Sequence, residues 1–327
     1  MKKKFNIDFV GAIKRWLMIS GGIILFGFIF NLIFGTLVDI SFTGGALIKY
    51  SYVGDVDPDE AAQVLSTAVG KSVETQFNYN VVVAGSDETV NNLNASVSDT
   101  AGLSPDQQKK MLDTLEEKYP NNSFSQLSSN SVSPTMGAEF LLKSLVAVLI
   151  ASAFIVLYVG LRFRKIGGLS AGMFALFALL HDIAIVYFTF VVFRLPLNDN
   201  FIAVVLSILG YSLNDTIVIY DRVRENRRLL GAKTSLDVLV NTSINQSFRR
   251  TLMTSISTFI AITTVTVLAL IYNIQSILSF SLPMMVGLIA GFYSSVCIAG
   301  PLWVVWQNRR AAKRLEANQA AAGKKTK

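Results

Sequence analysis

Two carboxylates and one guanidinium stand in stretches too apolar for ordinary surface charges. Asp215 lies in Gly210-Tyr-Ser-Leu-Asn-Asp215-Thr-Ile-Val-Ile-Tyr-Asp221, Asp182 follows Leu180-His181, and Arg250 opens Arg250-Thr-Leu-Met-Thr-Ser255. A charge at membrane depth is costly and therefore rare, and where it occurs it usually marks an ion or substrate path. At ~1.5 Å per residue, Asp215 lies about 9 Å inward of Asp221, the first interfacial residue by pattern. If the next helix enters the bilayer near Asn245, Arg250 is about 7 to 8 Å deep. Matched depth on successive helices makes Asp215 and Arg250 a natural charge pair, with Asn214 and Ser212 placed to orient the carboxylate or a water. One of Arg249 and Arg250 is then an interfacial anchor. By the same rise Asp182 is about 24 Å from Ile166 and some 15 Å from the level of Asp215. It is expected in a polar cavity, and His181, ~100° around the helix, as a packed, hydrogen-bonded core residue.

Such residues need membrane helices to hold them, and the composition agrees. Of 327 residues, 52% are hydrophobic and 16% charged, with mean hydropathy +0.48, too apolar for an ordinary soluble domain. The single cysteine, Cys297, excludes an internal disulfide, and the single histidine excludes a two-histidine metal site. No metal or cofactor is expected beyond a coupling ion, H+ or Na+. The net charge of +7 is divided: residues 36–142 carry 5 basic and 14 acidic side chains, and the remainder 24 and 8. The basic residues flank apolar runs instead of forming one face, which argues against nucleic-acid binding.

In chain order, residues 1–15 are a basic cytoplasmic head and 16–35 the first span, read as an uncleaved signal anchor. Residues 36–142 form an extracytoplasmic domain. Val38 to Phe42 and Ala46 to Val53 read as strand, broken at Thr43-Gly44-Gly45, either a hinge or a tight turn. Asp57-Pro58 and Ser104-Pro105 are helix starts, with Glu60 and Gln107 as capping-box partners. Strands follow at Thr75 to Ala84, Thr89 to Ser98 and roughly Ser123 to Val132, with a turn at Gly85-Ser86-Asp87. The order β-α-β-β-α-β is the split βαβ of a ferredoxin-like sandwich. Residues 143–306 hold five more spans, at about 144–161, 166–193, 200–220, 251–271 and 278–306. The loop 221–248 contains an amphipathic segment, Ser235 to Ile244, expected on the membrane surface. Gly287-x-x-x-Gly291 marks close helix packing and Pro283 a kink. Residues 307–327 are a basic tail. Basic residues concentrate in alternate connections, so both termini are expected in the cytoplasm and the acidic domain outside. The expected fold is a polytopic α-helical membrane protein with six transmembrane helices and one ferredoxin-like α+β extracytoplasmic domain between helices 1 and 2.

The Gly210–Asn226 stretch closely resembles the fourth-span signature of the SecF family, subunits of the bacterial SecDF accessory complex. Phe248-Arg-Arg250-Thr-Leu-Met-Thr-Ser255 resembles that family's fifth-span motif, and Leu180-His181-Asp182, Phe42-Thr43-Gly44-Gly45 and the topology also match. The resemblance implies a truncated resistance–nodulation–division fold in the bacterial cytoplasmic membrane, without enzymatic activity. It implies work beside the SecYEG channel with a separate SecD chain, with YajC and YidC as further neighbours and a translocating preprotein as client. The energy source is the proton-motive force, or sodium in some relatives, and Asp215 and Arg250 are then ion-pathway residues. One rival is a half-transporter of the same superfamily exporting a lipid or small molecule. Such exporters usually carry two large outer domains, whereas the second outer loop here is only about 193–199. The other is an intramembrane aspartyl protease, suggested by Tyr220-Asp221, but the partner Gly-x-Gly-Asp is missing.

Orientation is testable with cysteines placed at Ser66, Asn92 and Gln319. In intact cells the first two should react with an impermeant maleimide and the third should not. Labelling of Gln319→Cys from outside overturns the assignment.

Overall fold

A computed structural model describes residues 7–82, 89–97, 103–132, 134–231, 233–272 and 274–325. Among the described residues, six helices are long and apolar enough to cross a membrane. They are α1 (Ile13–Phe34), α5 (Pro134–Arg162), α6 (Gly168–Val192), α7 (Asp199–Leu229), α8 (Leu236–Ile271), and α9 (Gln275–Ser294) continued by α10 (Gly300–Lys325). Between α1 and α5 lie a one-turn helix α2 (Ile40–Thr43) and the elements β1 (Gly45–Tyr52), α3 (Pro58–Val69), β2 (Val73–Val82), β3 (Thr89–Val97), α4 (Pro105–Lys118) and β4 (Ser125–Val132).

The sheet is antiparallel with order β2-β3-β1-β4, the split βαβ arrangement expected from the sequence. Its strands alternate inward and outward, so Ala46, Ile48, Tyr50 and Tyr52 of β1 are all fully buried. They pack with Leu93 of β3, Leu65 of α3, and Met111 and Leu115 of α4, a core that among the described residues is drawn from this domain alone. Both expected N-caps form, but the capping box expected between Asp57 and Glu60 does not, because the Glu60 carboxylate is taken by Lys118 and Tyr119. Asp57 accepts from the backbone N–H of Asp59 and Glu60, and Ser104 and Gln107 form a reciprocal capping box. Glu60 ties α3 to α4 through Lys118 at 2.7 Å and Tyr119 Oη at 2.9 Å. These two partners, Lys118 first, hold its carboxyl below the usual range. The Ser/Asn-rich end forms the edge strand β4; Ser133 and the turn expected at Gly85-Ser86-Asp87 lie outside the described residues.

Four further expectations are corrected. Val38 to Phe42 is not a strand: Val38 makes only an isolated bridge to Leu197, and Ile40–Thr43 is helical. The helical turn lets Phe42 stack on Phe140 of α5 at 5.7 Å. Helix α5 begins at Pro134, well before the apolar run, because its first turns pack on α2 instead of entering lipid. Helix α7 does not end at 220 but runs to Leu229, with Tyr220, Val223 and Asn226 buried. The amphipathic segment Ser235 to Ile244 is not a separate surface helix. From Leu236 it is the first part of α8, and its Leu239, Val240 and Ile244 pack against Trp303 and Val304 of α10. Periodicity reports which face is apolar; it does not distinguish lipid from a neighbouring helix.

The Thr43-Gly44-Gly45 turn joins α2 to β1. Gly44 and Gly45 have φ of 77° and 142°, backbone that side chains rarely adopt. A Cβ on Gly45 would lie 2.3 Å from the Val97 carbonyl oxygen, so glycine is needed there for strand pairing as well as for the turn.

The self-contained core predicts that a soluble 38–136 fragment folds alone, with a cooperative melt and a mixed α/β circular dichroism spectrum. Within it Leu65→Ala should cost about 2–5 kcal/mol and Asp57→Ala about 1 kcal/mol, read by denaturant melts. Glu60 has a depressed folded-state affinity for protons, so its contribution is present at neutral pH and lost as pH falls through the carboxylate range. Glu60→Gln should flatten that acid limb.

Candidate functional site

The site is built where α6, α7 and α9 approach closely. Glycines of α9 make this possible. A Cβ on Gly287 would meet Ile208 of α7 at 2.7 Å, and one on Gly291 would meet the Ser212 Cβ at 3.0 Å, so the close-packing motif operates between α9 and α7. On α7, Ser212, Asp215, Thr216 and Ile219 follow the i, i+3, i+4, i+7 spacing and are all buried.

Asp182 is completely buried. Its Oδ2 accepts from Ser212 Oγ at 2.7 Å and from Ser294 Oγ at 2.8 Å, and its Oδ1 lies 3.0 Å from His181 Nδ1. Ser295 Oγ donates to the Ser212 carbonyl at 2.9 Å, and Thr216 Oγ1 donates to Ser295 Oγ at 3.0 Å. Ser294 and Ser295 are both buried. Ser295–Ala299 forms a π-helical stretch here, and such local widening is common at functional sites. The result is a run of hydroxyls leading from Asp182 on α6 to Thr216 on α7.

Asp215 is also buried, and it accepts from Ser255 Oγ of α8 at 3.3 Å. This corrects the expected pair. Arg250 is exposed, as is Arg249, and Asp215 meets Ser255 instead. Arg250 precedes Ser255 by five residues on one continuous helix, which places it about 7.5 Å along the axis and about 140° around it. The depth estimate used an entry point at Asn245. That residue is instead half-buried against the N-terminal segment, exchanging hydrogen bonds with Ile7. Asn214 is exposed, pointing away from the carboxylate it was expected to orient, and Ser212 serves Asp182 instead of Asp215.

Asp182 was expected some 15 Å from the level of Asp215. Its bond to Ser212, one helical turn from Asp215, places it within about 5 Å along α7. The error came from taking Asp221 as the interface. Asp221 is paired with Arg162 at 3.4 Å and Arg224 at 2.6 Å, and α7 continues beyond it. Nearness does not make the two acids a protease dyad, because both Asp182 oxygens are already engaged by protein groups. His181 is buried and bonded, as expected, although its bond is to its own neighbour. Its Nε2 has no partner. Ser255, Ser294, Ser295 and Thr216 were missed. The one available signal was hydroxyl residues recurring on otherwise apolar helices.

A family model described as protein export membrane protein SecD/SecF, C-terminal, matches residues 111–309, which include Asp182, Asp215 and Arg250. The protein translocase subunit SecF of Alicyclobacillus acidocaldarius is 30% identical over 323 residues, covering 98% of this chain and 99% of the relative. The chain belongs to the SecF family. It is also 33% identical over 308 residues to the protein translocase subunit SecDF of Bacillus subtilis, covering 94% of this chain but 39% of that protein. The crystal structure of SecDF from Thermus thermophilus, titled a translocon-associated membrane protein, matches 94% of this chain and 40% of its own, with TM-score 0.77 and 26% identity. The SecF chain therefore spans about two-fifths of the SecDF proteins it matches and nearly all of a stand-alone SecF.

Removing one hydroxyl from Asp182 leaves a buried carboxylate short of a donor. Ser212→Ala and Ser294→Ala should each cost about 1–3 kcal/mol in detergent or bilayer unfolding. Ser255→Ala, which removes a longer bond, should cost less. Equal losses at all three positions would contradict the assigned geometry.

Proposed function

We propose that this SecF chain is an accessory subunit of the Sec protein translocase. It works with a SecD chain beside the SecYEG channel, with YajC and YidC as further neighbours, and uses an ion gradient to promote export of unfolded preproteins across the bacterial cytoplasmic membrane. The observation that carries this reading is the pair of buried carboxylates, Asp182 on α6 and Asp215 on α7, the first bonded to Ser212 one helical turn from the second, within a bundle of membrane-length helices. An export subunit with no energetic role would gain nothing from keeping two acids there.

The work is electrostatic. Hydroxyls can donate to a carboxylate and accept from a carboxylic acid, so the Ser212–Ser295–Thr216 run tolerates either protonation state of its acid. Sodium is the alternative ion, since hydroxyl and carboxylate oxygens also suit a hard cation. Each charge crossing the membrane supplies about 2.3 kcal/mol per 100 mV, enough to bias a domain movement of a few kcal/mol. Arg250, exposed on α8, does not partner Asp215 here, and in this reading it joins the ion path only in the assembled complex or in another state of the cycle. The Thr43-Gly44-Gly45 turn is the proposed joint. In this reading both termini lie in the cytoplasm and the acidic domain outside. The SecDF fusions among its relatives support the SecD partnership.

The test is reporter export in membrane vesicles containing SecD, with and without an imposed proton gradient. Asp215→Asn keeps size and hydrogen bonding but removes the titratable charge, and Arg250→Met keeps bulk but removes the cation. Both should assemble with SecD and lose the gradient-dependent increment, leaving export without a gradient unchanged. Full retention of that increment by Asp215→Asn sinks the reading.

A further inference from the structure

We propose that the crevice between α5, α6 and α10, at the end of the bundle carrying both chain termini, is a binding site for an anionic phospholipid. This site is separate from the carboxylates and from their role in export.

The crevice is a cavity of about 940 Å³. That lies at the upper end of the ~300–1,000 Å³ typical of small-molecule sites. Its walls are apolar and lie on the outside of the bundle: Leu157 and Leu161 of α5, and Leu169, Met173 and Phe177 of α6, each about half exposed or more. From Gly168 to Phe177 the wall runs about 14 Å along α6, an acyl-chain dimension. Gly160 leaves its floor open, since a Cβ there would meet nothing closer than 3.9 Å.

Two arginines mark one end, Arg164 on the short 3-10 turn Arg164–Ile166 and Arg310 on α10. Arg162 and Arg224 nearby are already engaged, since they share the Asp221 carboxylate. Among the described residues, neither Arg164 nor Arg310 meets a carboxylate. Arg310 is held in place by stacking over Trp306 at 5.1 Å, and Trp306 packs on Phe174 at 5.8 Å. Trp303 and Gln307 both donate to Ser170 Oγ, at 3.0 and 3.1 Å, which fixes α10 against α6. Two guanidinium groups without acids, at the mouth of an apolar slot that faces lipid, complement a phosphate joined to acyl chains. A helix from another protein would cover the slot but leave both charges unanswered unless it brought its own acids.

The experiment uses the full chain in phosphatidylcholine vesicles containing a minor fraction of phosphatidylglycerol. Brominated acyl chains are placed on one lipid or the other. Fluorescence quenching of Trp306 is read as the difference between the chain and Trp306→Phe. Brominated phosphatidylglycerol should quench more than its phosphatidylcholine counterpart at equal fraction. Arg164→Gln and Arg310→Gln should each lower that preference about five-fold. Gly160→Leu, which fills the floor, should remove it. The doubly conservative variant Arg164→Lys/Arg310→Lys should retain most of it, showing that the fold is intact. Arg228→Gln, an exposed arginine outside the crevice, should change nothing. Equal quenching by the two lipids overturns the proposal, as does an equal effect of Arg228→Gln. Loss of the preference in phosphate buffer, but not in chloride of matched ionic strength, also overturns it, because the site would then be one for a free anion.

Discussion

The bundle is organised by one requirement: Asp182, fully buried on α6, must be surrounded by donors. An unsatisfied carboxylate in such an interior would cost several kcal/mol. Ser212, Ser294 and His181 meet that requirement, and they come from three segments of the chain. Satisfying one acid therefore fixes the approach of α6, α7 and α9 together. The glycines of α9 and the π-helical stretch follow from it. A side chain at Gly291 would crowd Ser212, and the π-helical stretch begins directly after Ser294. The hydroxyl side chains are small enough to let backbones approach and polar enough to justify the approach.

The same logic separates the two acids. Asp182 sits in a closed set of short bonds, whereas Asp215, one turn away on α7, has a 3.3 Å bond to Ser255 of α8. Helix α8 is the less enclosed neighbour. Its Met253, Ile256 and Ile260 are exposed, and Arg250 stands on its outer side. Asp215 therefore lies between a rigid polar core and a helix whose other face is open to lipid or to another chain. An acid in that position can change surroundings by movement of α8 alone, which an acid locked among three donors cannot.

Much of the fold was legible because its signals are local. Capping residues at Asp57 and Ser104, alternation in β1, and apolar runs of membrane length each depend on a few neighbouring residues. Helix ends were less legible. Nothing in the 221–248 segment distinguishes a membrane-surface helix from one that packs on α10, and the true answer depends on Trp303 and Val304, about sixty residues later. Of the site, the buried charges themselves were evident from their apolar surroundings. Their partners were not, because depth estimated from assumed interfaces accumulates error. A shift of five residues on α8 exchanges Arg250 for Ser255, and with it an ion pair for a neutral hydrogen bond. The serines and threonines that complete the site are also individually unremarkable in a membrane helix.

The sheet domain and the polar core share a connection that neither the sequence pattern nor the site alone reveals. Helix α6, which carries Asp182, ends at Val192, and the loop to α7 is hydrogen-bonded to the segment leaving α1. Leu197 exchanges backbone bonds with Leu37 and Asp39, and Arg194 donates to the carbonyls of Phe34 and Gly35. That segment leads within a few residues into α2 and the Gly44-Gly45 turn, and α2 rests on α5 through Phe42 and Phe140. The sheet domain is thus held by two covalent connections and a hydrogen-bonded clasp to the α6–α7 loop. Helices are stiff along their axes, so a displacement of α6 or α7 at the level of the acids reaches this clasp with little loss. Any linkage between bundle and domain other than the covalent connections and the α2–α5 contact must therefore pass through these few hydrogen bonds at the foot of the sheet.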